Sequence, residues 1–110
     1  MMAQAYLDSG IRARLALDQP QVNELDKLPF LREFLPADLR QDLAHANVPS
    51  APELLDLYDH LITTWHGRGN GRLKAAVSCS APQRVTPEYF AALDDLSAKR
   101  DLPFYAHMLE

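Results

Sequence analysis

The sequence predicts an α/β protein built on parallel strands. One observation is a strand, a helix and a second strand that follow one another between Leu73 and Met108. About 35 residues is the length of a right-handed unit in which a helix joins two parallel strands. The other is the long stretch from Leu17 to Leu73, which can cross to the next parallel strand through several helices. We therefore expect about three parallel strands with flanking helices.

The first predicted elements are a helix and a strand. Residues 3–10, AQAYLDSG, have the form of a helix that ends at Gly10, where a left-handed residue is favoured. In the strand IRARLALDQP (11–20) apolar residues alternate with polar or small ones until Pro20. The residues predicted on its apolar face are Ile11, Ala13, Leu15 and Leu17.

The segment 21–49 is the least regular part of the sequence. It contains three prolines, and we expect short helices over DKLPFLREFL (26–35) and PADLRQDLAHA, the second opened by Pro36. We interpret 21–49 as an irregular helical excursion from a single domain that takes up residues 1–110.

Two longer helices carry clear start signals. Ser50 with Glu53 three residues later is a capping box. Thr86 is the predicted N-cap of the helix PEYFAALDDLSAKR (87–100). Apolar residues recur at helical spacing after the first signal: Leu54, Leu55, Tyr58, Leu61, Ile62 and Trp65. The segments RLKAAVSCSAP (72–82) and LPFYAHML (102–109) are predicted strands.

Composition and charge argue against several classes of protein. With 110 residues, of which 47% are hydrophobic, the chain is long enough for one globular domain. Its net charge of −4 and scattered basic residues argue against a nucleic-acid partner. No apolar stretch approaches the roughly 20 residues that span a bilayer, and no secretory signal is evident, so we expect no membrane partner and a cytoplasmic protein. Cys79, the one cysteine, is expected to be a small buried residue.

Active sites of parallel α/β folds lie at the carboxyl ends of strands. No Gly-rich phosphate loop follows a predicted strand, and the patterns HExxH, CxxC and GxSxG are absent from the sequence. What remains is His107 with Glu110 three residues later, since an imidazole can ligate a divalent metal and a carboxylate can shuttle protons. By itself this pattern favours a polar strand-end residue over a ligand. The other histidines, His45, His60 and His66, are expected on the surface.

The last two predicted strands, read together, resemble the middle of a metal-dependent amidohydrolase. In GRLKAAVSCSAPQRVTPEYFAALDDLSAKRDLPFYAHMLE (71–110), a strand ends in a Pro-containing loop, a helix opens with Thr, and the next strand ends in His-x-x-Glu. This order is similar to the branch that contains adenosylhomocysteine, guanine and cytosine deaminases and triazine hydrolases. AYLDSGIRARLALDQP (5–20) is similar to the preceding helix and strand of that branch.

The resemblance implies a partial (β/α)8 TIM barrel, of which this chain holds roughly the third to fifth strands. It implies that His107 ligates a divalent metal, expected to be zinc with iron as an alternative, and that Glu110 shuttles protons in a deaminase or amidohydrolase acting on a C–N bond of a small molecule. The family's loop after the fourth strand often reads His-Ala-Pro-Tyr, whereas this chain has SAPQ. A nucleobase-like substrate is therefore in doubt, and Ser80, Gln83 and Arg84 become the candidate substrate contacts.

The family's first-strand His-x-His, its later His and its eighth-strand Asp have no counterpart in the sequence. A catalytic zinc takes about three protein ligands, and a complete barrel takes about 250 residues. We therefore expect an internal fragment that is inactive alone, holds metal only in the complete protein, and self-associates or needs the rest of the barrel. The excursion 21–49 is then expected at the mouth of the barrel. The alternative is a small α/β binding or assembly module without catalysis.

Overall fold

The computed structural model describes residues 2–19, 21–45 and 48–108. It is an α/β arrangement, as predicted, with helices and a few short parallel strands. In chain order the elements are α1 (Met2–Ser9), β1 (Ala13–Leu15), α2 (Glu24–Lys27), a 3₁₀ helix (Pro29–Phe34), α3 (Ala37–Ala44), α4 (Ala51–Trp65), β2 (Leu73–Ala75), β3 (Val77–Ser78), a second 3₁₀ helix (Pro82–Arg84), α5 (Pro87–Arg100) and β4 (Phe104–Tyr105). Within the described ranges, no helix has the length and apolar character that crossing a membrane requires.

Strands β2 and β3 belong to one extended segment that has a different neighbour on each side. β1 runs parallel to β2, with Ala13 opposite Leu73, and β4 runs parallel to β3, with Phe104 opposite Val77. The single predicted strand over 72–82 is thus two short ladders separated by one residue.

Two successive backbone amides show how the strands are ordered. The N–H of Ala76 donates to the carbonyl of Leu15 at 2.8 Å, and the N–H of Val77 donates to the carbonyl of Pro103 at 2.9 Å. Successive amides of an extended strand point to opposite sides, so the central segment lies between β1 and β4. The strands therefore lie side by side in the same order as they occur along the chain.

The helices α4 and α5 begin where the sequence predicts. The Ser50 hydroxyl accepts from the N–H of Glu53, and the Glu53 carboxylate accepts from the N–H of Ser50 at 2.8 Å, which confirms the capping box. The Thr86 hydroxyl accepts from the N–H of Tyr89 at 3.3 Å, which confirms the second N-cap. The buried residues of α4 are Leu54, Tyr58, Leu61, Ile62 and Trp65.

The core lies between these helices and one face of the sheet. The central segment buries alternate side chains there, namely Leu73, Ala75, Val77 and Cys79. The opposite face is exposed at Arg14, Lys74, Tyr105 and His107, whereas Ala76 and Ser80 on that face of the central segment are buried. The helices thus cover one face, and the other face is exposed in part, although parallel sheets are ordinarily covered on both.

The excursion 21–49 holds α2, the first 3₁₀ helix and α3. The helix predicted over 26–35 is divided at Pro29, since proline lacks an N–H and disfavours a helical conformation at Leu28, whose ψ is 66°. Phe30 and Phe34 project from this region with 61% and 78% of their surface exposed. The excursion therefore adds little to the apolar core.

Candidate active site at the carboxyl ends of the strands

Two of the predicted site residues, Ser80 and His107, lie side by side at the carboxyl ends of neighbouring strands. The N–H of His107 donates to the carbonyl of Ser80 at 2.7 Å. A continued ladder of β3 and β4 would take this N–H to the carbonyl of Cys79, so the bond to Ser80 is shifted by one residue where the ladder ends. Because side chains alternate along a strand, His107 lies on the same exposed face of the sheet as Tyr105.

Ser80 is held in an unusual backbone conformation. Its φ is +63°, in the left-handed region, and the residue is 5% exposed. Its N–H donates to the Ser78 hydroxyl at 3.0 Å. Left-handed conformations of non-glycine residues concentrate at functional sites, where the surroundings enforce them.

Arg84 approaches Ser80 from the second 3₁₀ helix. Its Nη1 donates to the Ser80 hydroxyl at 3.1 Å, whereas Nε is shielded from solvent and has no hydrogen-bond partner among the described residues. Gln83, the third predicted substrate contact, is exposed. The structure thus brings Ser80, Arg84 and His107 together at one end of the sheet.

Gln21 joins the loops that follow β1 and β3. Its N–H and that of Val22 donate to the carbonyl of Arg84 at 2.8 and 3.0 Å. Its side-chain oxygen accepts from both the N–H and the hydroxyl of Thr86. Sequence reasoning missed this contact, because a single glutamine at the start of an irregular segment carries no signal of its partner.

Tyr58 is a second residue whose role the sequence did not indicate. Its hydroxyl accepts from the N–H groups of Ser78 and Leu17 at 2.9 and 3.3 Å, and lies 2.8 Å from the carbonyl oxygen of Ser78. Burial raises the pKa of Tyr58, which keeps the hydroxyl protonated and able to donate. The sequence marks Tyr58 only as one position of an apolar helix face.

Glu110, the predicted proton shuttle, lies outside the described residues. Among those that are described, no three side chains of His, Cys, Asp or Glu come together as a metal site. His107 is exposed at a strand end and fits a role as one imidazole ligand, since a catalytic zinc takes about three protein donors. Further ligands would have to come from outside the described ranges.

The other titratable candidates occupy structural positions. Cys79 is 1% exposed, and burial raises the pKa of its thiol, as fits a small core residue. His45, His60 and His66 are exposed, as predicted. The Nδ1 atom of His66 also accepts from the N–H of Ala75 at 2.9 Å, which ties the end of α4 to β2.

The fold and this cluster describe an α/β protein with polar groups at the carboxyl ends of parallel strands. Comparison with curated proteins finds a match to a 5-methylthioadenosine/S-adenosylhomocysteine deaminase of Halalkalibacterium halodurans, with 38% identity over 48 residues. The match takes in 44% of this chain and 11% of that protein, so the chain spans about a ninth of its length. No protein-family model and no solved structure matches the sequence. The partial match supports an amidohydrolase-like resemblance at a coarse level.

Proposed function

We propose that this chain is a segment of a metal-dependent hydrolase that acts on C–N bonds, as a deaminase or an amidohydrolase. The observation that carries the proposal is the pairing of Ser80 with His107 at the carboxyl ends of neighbouring parallel strands. Enzymes of this architecture place their catalytic groups at that end. The partial match to a deaminase supports the same class of reaction.

Each residue of the cluster has a proposed role. His107 holds a divalent metal, zinc or iron, together with ligands from the rest of the complete protein; when bound, such an ion polarises the scissile group and activates water. Glu110 takes up a proton and returns it to the leaving nitrogen. The backbone bond from His107 to Ser80 fixes the strand end from which the imidazole projects. Ser80, Gln83 and Arg84 face the substrate, a small molecule.

We propose further that the strands are roughly the third to fifth of a (β/α)8 barrel. Consecutive barrel strands are neighbours, as β1, the central segment and β4 are. The same order occurs in half of an open doubly wound sheet, and the deaminase match favours the barrel. In this arrangement the excursion 21–49 follows a strand at its carboxyl end and stands at the barrel mouth.

This proposal is tested on the complete protein. We expect His107→Ala to lower its bound zinc, measured by elemental analysis, at least about tenfold and to remove hydrolysis of amide, amidine or aminopurine substrates. His60→Ala is the matched control, because His60 is exposed on α4. Unchanged metal content and turnover in His107→Ala would contradict the assignment.

The 110-residue chain tests the fragment part of the proposal. We expect it to show no turnover with added zinc and to self-associate, since its outer strands have open edges. Hydrolysis by this chain above the blank would contradict the proposal that it is an inactive fragment.

A second candidate function is a small binding or assembly module without catalysis. The exposed side chains of Phe30 and Phe34 favour it, because neighbouring exposed aromatic residues mark contact surfaces. Analytical ultracentrifugation separates the two: a compact, cooperatively unfolding monomer favours the module, and an associating chain favours the fragment.

A further inference from the structure

We propose that a cavity at the amino ends of β1 and β2 binds a phosphate group, either as free phosphate or as part of a small phosphate ester. The cavity has a volume of about 230 Å³ and is called the basic cavity below. Four of the residues that line it are basic, namely Arg12, Arg14, Arg72 and Lys74. The site goes beyond the proposed function, because the candidate active site lies at the opposite ends of the same strands.

The basic cavity gathers positive charge in a chain that is acidic as a whole. None of the described residues that line it is acidic, although the net charge of the chain is −4. The side chains of Arg12, Arg14 and Lys74 are exposed and form no ion pair with a described carboxylate. These charges are therefore open to a ligand from solution.

Strand register brings two of these cations together. Arg14 lies directly opposite Lys74 in the parallel ladder, and neighbouring strands are about 4.8 Å apart. Leu73 and Ala75, on either side of Lys74, are buried in the core, so Lys74 projects from the other face of the sheet. Like charges directly opposite each other are unfavourable, and a bound anion replaces this repulsion with attraction.

The guanidinium of Arg72 is held in place before any ligand binds. Its Nε donates to the carbonyl of Gly69 at 2.8 Å. A Cβ atom added at Gly10 would lie 3.0 Å from Nη1, and one added at Gly69 would lie 2.9 Å from Nη2, so the two glycines leave the space that the guanidinium occupies. A donor that is already oriented loses less entropy when a ligand binds.

Several cations around one small cavity suit a phosphate better than a carboxylate. A phosphate monoester carries about 1.5 to 2 negative charges near neutral pH and presents three strong acceptor oxygens. Arginine binds such a group through its planar fork, and lysine binds it as a point charge. A carboxylate has a single charge, and one arginine can pair both of its oxygens.

The neighbouring cavity leaves room for the organic part of an ester. Arg14 and Lys74 line this second cavity too, and its volume is about 560 Å³. Tyr105 also lines it and is 52% exposed, so it offers an aromatic surface to a flat or apolar group. Asp101 is among the lining residues of the larger cavity, so we expect the phosphate itself in the basic cavity.

The test follows the ³¹P resonances of inorganic phosphate and of phenyl phosphate during titration with the 110-residue chain at constant ionic strength. We expect a saturable change with one molecule bound per chain. Tighter binding of phenyl phosphate assigns the site to an ester, and equal binding assigns it to free phosphate. A response that never saturates overturns the proposal, as does displacement of phosphate by acetate at equal concentration.

Paired double variants provide the control. Arg14→Gln with Lys74→Gln should weaken phosphate binding at least about tenfold, because two charge-assisted contacts are lost. Arg40→Gln with Lys99→Gln removes the same charges from exposed positions outside both cavities and should bind as the parent chain does. Phosphate should raise the melting temperature of the parent chain and of this control only. Equal affinity in the two double variants overturns the proposal.

The same titration on the complete protein separates this site from the proposed function, because it requires neither metal nor turnover. If His107→Ala abolishes zinc binding and activity while phosphate does not bind, the phosphate site fails and the proposed function stands. Saturable phosphate binding without any hydrolase activity gives the reverse result. Binding by the 110-residue chain that is lost in the complete protein would show that other carboxylates pair with these cations there, which also overturns the proposal.

Discussion

Tyr58 shows how one side chain sets the geometry of two strand ends. The backbone groups of Leu17 and Ser78 would be among the next to pair if the β1 ladder continued past Leu15 and Ala75. They bond instead to the Tyr58 hydroxyl. A hydroxyl placed between two strands separates them, so the ladder ends there and the loops beyond can diverge around the site.

Replacement of Tyr58 by Phe tests this role. The side chain is fully buried, and without the hydroxyl the N–H groups of Ser78 and Leu17 lose their acceptor. We expect the free energy of unfolding to fall by roughly 1–3 kcal/mol in urea titrations, with faster exchange of the Ser78 amide. Tyr6→Phe is the control, because among the described residues the hydroxyl of Tyr6 bonds only to the Met2 sulfur, at 3.9 Å. Equal stability of the two variants would contradict the bridging role.

Residue by residue, the sequence indicated candidates at the strand ends but not the residues that support them. Ser80 and Arg84 became candidates because they follow a recognisable strand, and the carboxyl ends of strands are where functional groups lie. Gln21 and Tyr58 could not, because each acts through a partner far away in the chain. No local pattern marks such partners.

Among the elements, helix starts were predicted well and strand lengths poorly. A cap such as Ser50 with Glu53 is complete within four residues, so the sequence specifies it directly. A strand extends only as far as its neighbours allow. Among the described residues β4 takes in Phe104–Tyr105, whereas the alternating pattern predicted 102–109, of which Leu109 lies outside the described residues. The N-terminal side is limited by Pro103, which has no N–H to donate.

The capping box of α4 predicts a specific acid dependence. The Ser50 N–H, with its hydroxyl, lowers the pKa of the Glu53 carboxyl. A lowered folded-state pKa means that this stabilisation is complete above the ordinary carboxyl pKa and is lost as the pH falls through the folded-state value. We expect Glu53→Gln to lower the melting temperature near neutral pH and to match the parent chain in acid. Asp56→Asn, on the same helix, is the control. If the melting temperature of Glu53→Gln stayed equally far below that of the parent chain in acid, the mechanism would be contradicted.

At the scale of the whole molecule, one face of the sheet is packed against helices and the other exposes charged side chains. Arg14 and Lys74 are directly opposite each other across β1 and β2. Both line a surface cavity of about 560 Å³, and neither forms an ion pair with a described carboxylate. The packing of helices on one face could be predicted from the apolar pattern of the sequence. The position of Arg14 opposite Lys74 could not, because it depends on the register of the two strands.

Lys74→Glu tests whether these like charges destabilise the chain. Like charges directly opposite in a sheet are unfavourable, and an opposite pair is worth roughly 0.2–1 kcal/mol, so we expect the free energy of unfolding of the 110-residue chain to rise by about that amount. The gain should shrink in high salt, because both side chains are exposed and screened. Lys74→Gln, which removes the repulsion without adding attraction, should lie between the two. A Lys74→Gln chain less stable than the parent chain at low salt would contradict the repulsion and show that Lys74 already has a favourable partner.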